Sequence, residues 1–154
     1  LGMRWYPEAL ATAYEIAGES GYTVEQVAGV IAAVSPNTSW QQNVSLAWQL
    51  CVEGRDGGTF GKNVAYAHRI LTGEVWEDVL KGPKVRAFAA NILGDTQRVT
   101  VDRWMARAAG LNIDRVNVGQ YVMVEQAVRE GGAAVGVSPR DLQAMVWITI
   151  RERR

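Results

Sequence analysis

Three segments of the chain combine residue types that could do chemistry. The first, Ser35-Pro36-Asn37-Thr38-Ser39-Trp40-Gln41-Gln42-Asn43, is a polar loop between two apolar stretches. Amides, hydroxyls and an indole in one loop could stack on a nucleobase and hydrogen-bond its edges, which makes Trp40, Gln41 and Asn43 candidate base contacts. Two helix caps and a turn account for Pro36 and Ser39 but leave those three residues undetermined. The second, Leu80-Lys81-Gly82-Pro83-Lys84-Val85-Arg86, is a glycine turn that opens a helix beside three basic residues. Backbone N–H groups at a helix start attract phosphate and nearby cations add to the pull, so Gly82, Lys84 and Arg86 are candidate phosphate contacts. Pro83 contributes no donor there. The third, Val99-Thr100-Val101-Asp102-Arg103-Trp104, puts a carboxylate at a helix start, where Asp102 reads first as an N-cap. Arg103 adds a cation beside it, and Trp104 either lines a pocket or packs in the core.

The charge pattern points to the same region. The 154 residues carry sixteen basic and sixteen acidic side chains, yet residues 81–107 hold six basic groups against two acidic ones. Residues 1–80 hold four against nine. A local basic segment in a neutral chain suits contact with a polyanion, although a solvated helix face would look the same. Other chemistries have less to work with. One cysteine, Cys51, and one histidine, His68, argue against a disulfide, a zinc site or an iron-sulfur cluster, so no metal or other cofactor is expected. Residues 26–52 carry no charge, but their polar middle is unsuited to crossing a bilayer, and no membrane partner is expected. The N-terminal residues lack the basic flank and apolar run of a secretory signal, so the expected location is intracellular, in the cytoplasm.

The elements that must position these residues read as helices almost throughout. Apolar residues recur at helical spacing in Leu10, Ala13, Ile16 and Ala17, which predicts a first helix beginning near Pro7. Thr23 with Gln26 and Ser39 with Gln42 are capping boxes for the second and third. Residues 54–61 form a glycine-rich loop, and further helices follow through Ile70, through Trp76 and from Val85 to Ile92. Residues 97–101 read as extended but are too few to build a sheet. Asp102 starts a seventh helix. An eighth carries Val118, Tyr121, Val122, Glu125 and Val128, and a ninth turns Leu142, Met145, Val146 and Ile150 inward. The expectation is one all-α domain, 1–154, of about nine helices in two lobes. Residues 24–110 would form one lobe, and 1–22 with 111–154 the other.

The order of these elements resembles the helix-hairpin-helix DNA glycosylases of the endonuclease III type. In that family the turn reads Leu-Pro-Gly-Val-Gly-x-Lys and a later element reads Val-Asp-Thr-His. Here they are Leu80-Lys81-Gly82-Pro83-Lys84, two residues shorter, and Val101-Asp102-Arg103-Trp104. Lys84 precedes Asp102 by eighteen residues, the separation between lysine and aspartate in the lyase-type members. The polar loop after Val34 is similar to the family loop that reaches into the space left by an extruded nucleotide.

The resemblance implies double-stranded DNA as partner, with a modified or damaged base flipped out of the stack and its N-glycosidic bond cut. It further implies that Asp102 would stabilise positive charge on the sugar and orient water, and that Lys84 could attack as an amine. Gly82, Lys84, Arg86 and Arg103 would hold the DNA backbone, with Trp40, Gln41, Asn43 and Trp104 around the base. Small phage proteins of similar build act in thymine hypermodification, which leaves a base-modifying transferase as an alternative. A non-catalytic DNA or protein binder is another.

Overall fold

The computed structural model describes residues 2–56, 61–111 and 115–152, and among them it holds nine α-helices and no strand. In chain order these are α1 (Gly2–Ser20), α2 (Val24–Ala33), α3 (Trp40–Trp48), α4 (Gly61–Leu71) and α5 (Trp76–Val79), then α6 (Pro83–Ile92), α7 (Arg103–Ala108), α8 (Val118–Val135) and α9 (Pro139–Glu152). Half of the glycine-rich loop, residues 57–60, lies outside the described residues.

Local signals set many of the boundaries. Thr23 accepts from the Gln26 N–H while the Gln26 side chain accepts from the Thr23 N–H, at 3.1 and 3.0 Å. Ser39 and Gln42 repeat the exchange at α3, and Asn117 and Gln120 at α8. A π-helical turn over Gln49–Glu53 prolongs α3, burying Leu50 and Cys51, and Gly54 ends it with a φ of 67°. Helix α2 is buried from Val27 to Ala33, as its apolar sequence requires of a central helix. Gly29 lets α5 approach it, since a Cβ there would lie 2.7 Å from Trp76 Cβ.

The apolar side chains form two cores. The larger joins Tyr6, Ala13 and Ile16 of α1 to α2 and the inner faces of α3 to α6. The smaller joins Val99, Val101 and Met105 to Tyr121, Val124 and Val128 of α8, with Leu142, Val146 and Trp147 of α9 against it. Helix α1 therefore belongs with the larger core and residues 99–105 with the smaller, a division displaced from the one read in the sequence. Packing of α1 against both α2 and α9 is the physical reason.

Three further elements differ from the sequence reading. Helix α1 starts at Gly2, with Pro7 inside it, because the helix forgoes only one N–H there. On α8 the buried stripe is Tyr121, Val124, Val128 and Gly132, while Val118 and Val122 are exposed. On α9, Met145 is exposed and the helix turns Arg140, Gln143 and Ala144 inward.

The extended stretch 97–101 is held by side chains instead of a ladder. The Tyr121 hydroxyl donates to the Val99 carbonyl and accepts from the Val101 N–H at 3.2 Å. Asn91 Nδ2 donates to the carbonyls of Asp95 and Arg98 at 2.9 and 2.7 Å, and Thr100 donates to Asn91 Oδ1 at 2.8 Å. Backbone polar groups buried away from water need partners, and here α6 and α8 supply them.

Candidate functional site

A cleft of about 720 Å³ opens where the two cores meet, walled by α1, α6, α7, α9 and the loop before α3. Lys84 and Asp102 both line it.

Asp102 sits at the end of the pinned stretch 97–101, and both of its oxygens are engaged. Oδ1 accepts from the Met105 N–H at 3.0 Å, making the residue the N-cap of α7. Oδ2 accepts from Trp147 Nε1 on α9, also at 3.0 Å. The N-cap reading of the sequence thus accounts for half of this carboxylate, and the indole of Trp147 for the other half. Oriented by two donors, the carboxylate presents negative charge to the cleft in one fixed direction.

The opposite wall is built differently. Lys84 lies in the first turn of α6, is half-buried, and makes no hydrogen bond or ion pair among the described residues. Gly82 is the N-cap of α6, has no side chain to cover the first-turn amides, and lines the cleft with Pro83. Its φ of −73° is open to any residue, and an added Cβ would meet only Val85 Cγ2 at 3.6 Å. Arg86 points elsewhere: its Nη1 donates to the carbonyls of Glu77 and Leu80 at 2.6 and 3.2 Å, tying down the end of α5. That is structural employment for the guanidinium, outside the cleft lining.

Aromatic rings form the remaining walls. Trp5 of α1 stands at the centre of a cluster, with ring centroids 4.9 Å from Tyr6, 4.9 Å from Trp40 and 5.8 Å from Trp147. Phe88 extends it at 6.1 Å from Trp5. Trp104 also lines the cleft, half-buried, with the guanidinium groups of Arg103 and Arg107 5.3 and 4.9 Å from its ring. Those distances are within cation–π range and hold cations at the mouth. Of the base contacts expected from sequence, Trp40 and Asn43 line the cleft, whereas Gln41 is exposed on α3 and does not. Asn37, with a φ of 61°, turns the loop so that Ser35, Thr38 and Ser39 edge the cleft as well.

The floor is polar and buried. The Tyr6 hydroxyl donates to Gln143 Oε1 at 2.9 Å, with Thr100 Oγ1 a longer alternative at 3.4 Å. Arg140 lies over the Tyr6 ring and donates to the Asn91 carbonyl at 3.1 Å. Burial holds the Tyr6 phenol well above the usual tyrosine range, and burial likewise pushes Tyr121 up to about 12. Both phenols are neutral hydrogen-bonding groups at physiological pH.

Sequence reasoning missed Trp5, Tyr6, Phe88, Gln143 and Trp147. One signal was present, since four of the chain's six tryptophans line this cleft. Another was Gln143 and Trp147 at i, i+4 on one helix. Among the described residues no group of His, Cys, Asp or Glu could hold a metal ion, and no helix is long and apolar enough to cross a membrane.

The fold and site define an all-α bundle with an aromatic-walled cleft between two cores. The chain belongs to the family of unknown function DUF7178, which it matches over residues 1–154. Comparison with curated proteins gave no match, and comparison with solved structures gave none.

Proposed function

We propose that the protein binds double-stranded DNA, turns a modified or damaged base into the cleft, and cleaves the N-glycosidic bond. The observation that supports this reading is that Lys84 and Asp102, eighteen residues apart, line one cleft walled by aromatic rings. Its volume is within the ~300–1,000 Å³ of small-ligand sites. Trp5, Trp40 and Trp147 offer faces for stacking, while Arg103, Arg107 and Arg115 are exposed beside or near the entrance, where phosphates pass.

Asp102, locked by Met105 and Trp147, stabilises the cationic sugar as the C1′–N bond breaks and its electron pair leaves with the base, which takes up a proton. The new bond to C1′ comes either from water or from the neutral amine of Lys84. In the amine case the sugar ring opens to an iminium that borohydride reduces to a stable protein–DNA adduct.

The test is incubation with duplexes that carry candidate modified bases, followed by scoring for abasic sites, with and without borohydride. Abasic sites should form with the wild type and about a hundredfold more slowly with Asp102→Asn, and a borohydride adduct lost in Lys84→Ala identifies the amine route. Binding should weaken steeply with salt, by a slope of about −0.9 in log K per neutralised phosphate. Salt-dependent binding without any abasic product would leave a DNA binder and overturn the catalytic reading. Duplexes that are not retained even at low salt would overturn both.

A further inference from the structure

We infer that Asn43 and Gln143 form a two-point reader for the edge of the base that enters the cleft, Asn43 Oδ1 taking a proton donor of the base and Gln143 Nε2 giving a proton to an acceptor. This inference rests on the base-eversion reading above and assigns its recognition chemistry.

The two amides are buried to an unusual degree for polar residues lining a cleft, Asn43 at 2% and Gln143 at 4% relative exposure. Each is satisfied at one end by the protein. Asn43 Nδ2 donates to the Ile31 carbonyl at 2.8 Å, in the last turn of α2. A carbonyl only accepts, so the amide nitrogen must face it and Oδ1 points the other way. Gln143 Oε1 accepts the Tyr6 proton at 2.9 Å, and Nε2 points away from Tyr6. Asn91 spends both amide protons on carbonyls and Thr100 gives its proton to Asn91 Oδ1, so Tyr6 is left to donate, and Gln143 Oε1 at 2.9 Å is a nearer acceptor than Thr100 Oγ1 at 3.4 Å.

The other end of each amide has no partner among the described residues. No sealed side-chain nitrogen or oxygen among those residues lacks a hydrogen bond, so these two open ends meet the cleft. They are an acceptor and a donor, on α3 and α9, in a site that Trp5, Trp40, Phe88, Trp104 and Trp147 also line. A phosphate has acceptors only and cannot satisfy Asn43 Oδ1. A nucleobase presents an N–H or amino donor beside a carbonyl or ring-nitrogen acceptor, and its faces suit the indoles. Burying a polar group without a partner is costly, so a base with the wrong edge is rejected more strongly than a correct one is favoured.

The experiment compares labelled duplexes by fluorescence anisotropy. Five duplexes carry thymine, uracil, cytosine, adenine or guanine at one mismatched position, and a sixth carries a tetrahydrofuran abasic analogue there. Wild-type protein should rank the five bases unequally. Gln143→Glu keeps an acceptor for Tyr6 but replaces the donor in the cleft by an acceptor. It should lose tenfold or more on the best-bound base while binding the abasic duplex within twofold of wild type, which also shows that it is folded. Gln143→Met should behave alike, since Thr100 Oγ1 remains for the Tyr6 proton. An N-methylated form of the best-bound base, without its donor, should fall with Asn43 unchanged. Wild-type binding that is indifferent to the base, or a Gln143→Glu variant that retains base preference or weakens all six duplexes equally, overturns this inference alone. Wild-type protein that binds none of the six overturns the DNA reading with it.

Discussion

The two walls that carry Asp102 and Lys84 are built on opposite principles. Asp102 stands on a stretch whose backbone is pinned by Tyr121 and Asn91, and both its oxygens are held. Lys84 stands in the first turn of a helix behind an uncapped glycine and holds on to nothing among the described residues. One wall is preorganised and the other is left adjustable. In the proposed reaction a fixed carboxylate suits charge that develops at one point, whereas an amine held by nothing among those residues can adjust to reach a sugar.

The largest expected effect separates the walls by activity. In a glycosylase assay Asp102→Asn should slow abasic-site formation by about a hundredfold or more, while Lys84→Ala should remove the borohydride adduct without lowering the urea midpoint. A destabilised Lys84→Ala protein would break the contrast. Next come the stabilities. Asp102→Ala forfeits the cap and removes the carboxylate acceptor of the Trp147 N–H, which should cost about 2 kcal/mol or more in urea unfolding. A capping role alone makes Asp102→Asn nearly neutral, but asparagine has one acceptor for two donors, so about 1 kcal/mol should be lost. Trp147→Phe in the Asn background should then add little, and a full additional penalty would show that the indole bond is not the coupling.

Alkaline pH probes the fixed wall further. Burial raises Tyr121 from an ordinary value of 10.0 to about 12, and it raises Tyr6 as well. A phenol kept neutral by folding contributes fully below the unfolded value and loses that contribution as pH rises through the folded one. The phenols' share of stability, followed by thermal melts, should hold to about pH 10 and fall between there and about 12. Burial of Cys51, also pushed up to about 12, adds to the fall from pH 9.0 upward. Tyr121→Phe should flatten part of the slope at the expense of the anchor on Val101. The smallest effect is expected on the adjustable wall. Gly82→Ala fits both backbone and space, so its urea midpoint should stay within about 0.5 kcal/mol of wild type or rise slightly, and DNA affinity reports whether a ligand needs the bare turn.

What was legible in the sequence follows from how locally each feature is determined. Thr23 with Gln26 and Ser39 with Gln42 announce their helices because a capping box is closed within four residues. Lys84, Asp102, Trp40 and Asn43 could be nominated from their own segments, and all four line the cleft. Helix α8 was harder because valine, methionine and alanine occur on nearly every side of it, so periodicity alone does not choose between the Val118–Val122 face and the Tyr121–Val124–Val128 face. The tertiary fold chooses, through the Tyr121 hydroxyl. Trp5, Tyr6 and Gln143 were illegible for a related reason: 137 residues separate the partners in the Tyr6–Gln143 bond, and nothing local to either predicts it.

That same bond fixes when the site can come into existence. Chains emerge from the ribosome in order and their early parts begin to fold first. The larger core draws almost wholly on residues before 93 and can assemble while synthesis continues. Gln143 and Trp147 are made later, and Tyr6 and Asp102 must wait for them. A nascent chain with most of its core in place therefore has neither the Gln143 amide proposed to read a base nor the indole that orients the Asp102 carboxylate. The cleft is incomplete until α9 has been made and has docked.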